Sequence, residues 1–90
     1  MKIAVINGDN INSIERIHNK LKYQLDFSDY YGMNLDSLWD ELTSTSEEIK
    51  IIIKNADKLI DSLGNYGVMF RHTIREASEE NDKIHVEIDD

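Results

Sequence analysis

The segment Ile49-Lys50-Ile51-Ile52-Ile53-Lys54 narrows most sharply what this chain can fold into. Four isoleucines in six positions, β-branched and without strict alternation, suit a strand buried in the middle of a sheet. A central strand needs a partner on each side, and the chain offers two. Ile3-Ala4-Val5-Ile6 is a short apolar run closed by the turn former Asn7-Gly8, expected to be covered on both faces or to form a well-packed edge. Lys83-Ile84-His85-Val86-Glu87-Ile88 alternates, as a strand with one buried face should.

Helical patterns occupy both gaps. After a polar stretch from Asp9 to Ser13, with Asn12 or Ser13 as cap, Ile14, Ile17, Leu21 and Leu25 form one stripe with His18 beside it. A second helix begins near Asn34 and carries Leu35, Leu38, Trp39 and Leu42 at offsets of three, four and seven. Thr43 to Glu48 is polar and reads as a loop. Beyond the central strand, Asn55 or Asp57 starts a third helix with Leu59, Ile60 and Leu63, ended by Gly64 in the left-handed position. A fourth runs from Asn65 or Gly67 to about Glu80, with Phe70, Thr73, Ile74 and Ala77 inward and Met69 flanking.

Helical connections between successive strands favour parallel pairing with right-handed crossovers. The expected fold class is therefore α/β: two layers, a three-stranded parallel sheet in order 1-2-3, and about four helices on one face. At 90 residues the chain has material for one modest core, so residues 1–90 are read as a single domain. Hydrophobic residues make up 40% and charged residues 31%, too apolar for a disordered acidic tail.

Cysteine is absent, which rules out disulfides and thiolate metal sites and fits a cytoplasmic home. The opening apolar run is too short for a leader or a membrane span. Eighteen Asp plus Glu against ten Lys plus Arg give a formal charge of -8. Such a field disfavours nucleic acid and anionic membranes as partners and favours a basic one.

The chemistry concentrates in Tyr30-Tyr31-Gly32-Met33-Asn34-Leu35-Asp36-Ser37-Leu38-Trp39-Asp40. Asp36 and Asp40, four apart, project from one helix face that Thr43 continues, and like charges at this spacing cost about 0.2–0.5 kcal/mol unless a cation offsets them. Asp36 also stands in the first turn, where the helix dipole favours a carboxylate, a structural use that Asp40 gains less from. Adjacent tyrosines in a loop do not both turn inward easily, so at least one is expected to be exposed, and Gly32 permits positive φ or close approach of a partner backbone.

The run Tyr30-Tyr31-Gly32-x-Asn34-Leu35-Asp36-x-Leu38-Trp39-Asp40 resembles the signature of the barstar family, intracellular inhibitors of the secreted ribonuclease barnase. Ala4-Val5-Ile6-Asn7-Gly8 is similar to the family's first strand and turn, and Arg75-Glu76-Ala77 to its last helix. The resemblance implies a protein inhibitor, not an enzyme, that needs no cofactor or metal. Its partner would be a basic microbial ribonuclease, guanyl-preferring and of barnase type, bound 1:1 by a chain that is monomeric when free. It implies that Asp40 occupies the enzyme's phosphate pocket and that Asp36 pairs with an active-site arginine. Tyr30 would pack on the catalytic histidine and Glu76 would add a salt bridge. Tyr31, Gly32, Asn34, Leu35, Trp39 and Thr43 complete the implied contact. The sequence departs from the family in having Thr45 where barstar has a tryptophan, and no cysteines, Glu41 standing where the family has one.

Three other readings compete with this one. A barstar-like chain could serve as an immunity or regulatory protein against a different basic toxin. A small acidic hydrolase using Asp36 and Asp40 is disfavoured, because adjacent helix turns do not give two carboxylates contrasting environments. A zinc site from His18, His72 and His85 would need three separate elements to converge; His18 reads as a helix-flank residue, His85 as an exposed strand residue, and Glu76 as a partner for His72 or Arg75.

Overall fold

The computed structural model describes residues 1–90. Strand β1 (Lys2–Asn7) is followed by a 3-10 turn at Gly8–Asn10, helices α1 (Ile14–Leu25) and α2 (Leu35–Ser44), and strand β2 (Ile49–Lys54). Helices α3 (Ala56–Leu63) and α4 (Asn65–Glu80) then lead to β3 (Ile84–Ile88). The sheet is parallel, in order β1-β2-β3, with Ala4 opposite Ile51 and Ile51 opposite Val86.

One face of this sheet carries Ala4, Ile6, Ile49, Ile51, Ile53 and Ile84, all buried. Together with Ile17, Leu21, Leu38, Leu42, Leu59, Phe70 and Ile74 of the helices they belong to a core of 18 residues. The other face is open. Ile3 is 49% and Val5 40% exposed, so of the two arrangements expected for β1 it takes the edge position, covered on one face only, and not the double cover. Its free edge is closed by α1 instead: the Val5 N–H donates to Gln24 Oε1 at 2.7 Å, and Gln24 Nε2 donates to the Val5 carbonyl at 3.1 Å. A side-chain amide thus takes the place of a neighbouring strand and blunts the edge.

Local chemistry sets the helix limits. Ser13 caps α1 by accepting from the Arg16 N–H at 3.1 Å, and Asp26 ends it in the left-handed region at φ 56°. Ile14, placed on the inward stripe by its spacing, lies 43% exposed in the first turn, and Ile11 of the preceding stretch fills the core instead. Helix α2 continues through Thr43 and Ser44, residues that read as loop. Their hydroxyls donate to the Trp39 and Asp40 carbonyls, and Asn81 Nδ2, from the end of α4, donates to the Leu42 and Thr45 carbonyls at 2.9 and 3.0 Å. Carbonyls at a helix end otherwise lack partners, and the tertiary cap supplies them. Gly64 does have positive φ, at 60°, but its ψ of -134° lies outside the left-handed helical region.

Candidate functional site

The segment that leads into α2 is fixed from both ends. Asn34 caps the helix: its Oδ1 accepts from the Ser37 N–H at 2.8 Å while its Nδ2 donates back to the Gly32 carbonyl at 3.2 Å. At the other end the Tyr31 N–H donates to the Ser28 carbonyl at 3.0 Å, and the Tyr31 ring lies 4.8 Å from that of Phe27. The left-handed residue of the turn is Met33, at φ 59°, and not Gly32. Gly32 is small for another reason: a Cβ there would stand 2.2 Å from Ser37 Oγ.

The tyrosine pair divides. Tyr30 is 96% exposed, whereas Tyr31 is 5% exposed and belongs to the core. Tyr31 therefore cannot offer its ring to a partner. Its hydroxyl lies 2.6 Å from His18 Nδ1, and the opposite ring nitrogen, Nε2, lies 2.7 Å from the Tyr66 hydroxyl of α4. His18 is fully buried rather than at the helix flank. Burial pushes its pKa below the usual histidine value and raises those of both tyrosines. The sequence hint was its position next to Ile17 and three and seven residues before Leu21 and Leu25, on the border of the apolar stripe.

Asp36 and Asp40 are both exposed on α2, while Leu38 and Leu42 are buried and Leu35 and Trp39 half-buried against the core. Neither aspartate has an intramolecular cation partner. Thr43 is half-buried, and its hydroxyl is spent on the Trp39 carbonyl at 2.7 Å. Glu76 sits on α4, the helix packed against α2, where it is exposed and paired with His72. Gly32 and Asn34 are exposed beside the start of α2.

The three main surface recesses lie elsewhere. The largest, about 640 Å³, is lined only by residues from Asn12 to Gln24 on and before α1. A second runs from Asn19 to Phe27, and a third touches Glu41 and Thr45 but neither Asp36 nor Asp40. No group of three His, Asp or Glu is placed to hold a metal: His18 is engaged by tyrosines, His72 by Glu76, and His85 by Glu48 at 2.5 Å. No helix is long and apolar enough to cross a membrane.

A two-layer α/β arrangement with three parallel strands in sequential order, four helices on one face and an acidic helix left bare is barstar-like in class. The profile of the family described as Barstar (barnase inhibitor) matches residues 1–89, and the chain belongs to that family. It is also similar to a protein of Bacillus subtilis (strain 168) named "Putative ribonuclease inhibitor YrdF", with 41% identity over 81 residues, 89% of each chain.

Proposed function

We propose that this chain is a protein inhibitor of a barnase-type, guanyl-preferring extracellular ribonuclease, acting in the cytoplasm as a single folded unit and binding its enzyme 1:1 from a monomeric free state. The observation that carries the reading is the bare carboxylate pair of α2. Asp36 and Asp40 stand exposed, without internal cations, on a helix whose opposite side is locked into the core.

A ribonuclease must gather cations around a scissile phosphate, so carboxylates held rigidly at the right spacing imitate the substrate. In this reading Asp40 enters the phosphate pocket and meets arginine and histidine side chains, and Asp36 pairs with a further arginine. Tyr30 lies over the catalytic histidine, with Gly32, Asn34, Leu35, Trp39 and Thr43 around them. Glu76 exchanges His72 for an enzyme cation. The aspartates line none of the three main recesses, which suits recognition of a protein better than hydrolysis of a small substrate.

The test is titration of barnase, and of the ribonuclease secreted by the source organism, with measurement of affinity and residual RNA cleavage. Stoichiometric loss of cleavage is expected for at least one of them. Absence of binding to both at low salt would overturn the reading. One observation favours a second reading, a different basic toxin as cognate partner: Thr45, at the family's tryptophan position, is half-buried, and its carbonyl and hydroxyl oxygens accept from Asn81 Nδ2 and the Glu47 N–H.

A further inference from the structure

We propose that His18 and Tyr66 are positioning residues for the partner-binding loop: His18, held as its Nε2–H tautomer between two tyrosine hydroxyls, pins Tyr31 inward and thereby sets the outward orientation of Tyr30. The role in binding rests on the ribonuclease-inhibitor reading above; the pinning itself does not.

The tautomer follows from counting donors. The Tyr31 hydroxyl is buried, and His18 Nδ1, at 2.6 Å, is its hydrogen-bond partner. That O–H donates to Nδ1, because a proton on Nδ1 would leave the buried hydroxyl hydrogen with no other acceptor within hydrogen-bond distance. The neutral ring then carries its hydrogen on Nε2 and donates it to the Tyr66 oxygen at 2.7 Å. Tyr66 is only half-buried, so its own O–H is free to meet water. No buried side-chain polar atom is left without a partner.

This relay ties three elements together: α1 through His18, α4 through Tyr66, and the loop through Tyr31. Within that loop Phe27, Tyr31 and Met33 pack on the core, and Ser28, Asp29 and Tyr30 lie outside it. Consecutive Cα atoms are about 3.8 Å apart, so fixing Tyr31 leaves Tyr30 little room to move. Pre-ordering a large aromatic side chain's backbone before contact lowers the entropy lost on binding, and most of that gain is read in the dissociation rate.

Three measurements test this with Tyr66→Phe and Tyr31→Phe, each of which deletes one hydroxyl and keeps the ring. First, the ¹⁵N spectrum of the wild-type imidazole should show Nε2 protonated and Nδ1 bare; the opposite assignment overturns the relay. Second, amide exchange in the free protein at residues 28–33 should quicken about tenfold or more in both variants, and unchanged exchange there overturns the pinning. Third, dissociation from barnase, or from the source organism's ribonuclease, should quicken about tenfold in both variants. Ile74→Val, a core change of α4 that touches none of the relay's hydrogen bonds, supplies the control for stability loss: it should lower the melting temperature without altering that rate. If Ile74→Val quickens dissociation as much at equal stability loss, the positioning role is overturned. If the wild type binds neither enzyme, the inhibitor reading and with it the binding role fall, while the first two measurements still decide the pinning.

Discussion

At the scale of single residues, the most consequential choice in the molecule is which tyrosine turns inward. Tyr30 and Tyr31 are chemically identical neighbours, and the local sequence gives no reason for one to be buried. The reason is 13 residues upstream, where His18 offers a ring nitrogen to the Tyr31 hydroxyl. A buried neutral histidine also carries a pH signature. Its folded pKa is depressed by burial, whereas in the unfolded chain it returns to about 6.5. The unfolded state therefore binds more protons as pH falls below about 7, and stability that is complete above 6.5 is lost toward acid, at no more than about 1.4 kcal/mol per pH unit from this one group. The groups facing the ring are the Tyr31 and Tyr66 hydroxyls, neither of which can compensate a positive charge by ionising in this range. Melting temperatures at pH 7.5 and 5.5 should differ in that direction, and the His18 imidazole resonances should titrate below the ordinary histidine value. Titration of His18 at the ordinary value would contradict its burial.

Elements were legible in the sequence where burial and propensity agreed. The isoleucine-rich β2, the stripes of α1 and α2 and the alternation of β3 all declared themselves, and the parallel order followed from the helical connections. The misread limits share a cause, a distant partner. Asn81 extends α2 past Thr43, Gln24 stands in for a missing strand beside Val5, and Ile11 is drawn into the core from a polar stretch. Two element-scale predictions follow from geometry. The first concerns Gly8, whose added Cβ would meet the Asn55 carbonyl oxygen at 2.1 Å and the Leu59 nitrogen at 2.9 Å, both backbone atoms that cannot step aside. Gly8→Ala should destabilise by about 1–3 kcal/mol in urea denaturation, by forcing the end of β1 away from α3. The second concerns the α2 cap. Removing its bond to the Ser37 N–H by Asn34→Ala should cost about 1 kcal/mol of stability and, on the proposed function, weaken binding by loosening the first turn that carries Asp36.

At the scale of the whole molecule, charge and shape act together. A chain with a formal charge of -8 attracts a basic enzyme from a distance, and this field acts chiefly on encounter. Raising salt from about 20 to about 500 mM should slow association with an inhibited ribonuclease at least tenfold and change dissociation far less. An association rate indifferent to salt would remove electrostatic steering from the account. The candidate site was legible as a motif because all its proposed residues but Thr43 and Glu76 lie in the run from Tyr30 to Asp40, but its support was not, because His18, Tyr66 and Asn81 lie on other elements. The sharpest test concerns Asp40, the proposed anchor. Calorimetric titration of the inhibited ribonuclease with wild type and Asp40→Ala should show a loss of about 2–5 kcal/mol or more, since enzyme cations would be left buried without their counter-charge. A loss below about 1 kcal/mol would contradict the phosphate-mimic account, because removal of an exposed charge outside the contact centre has effects of only that size.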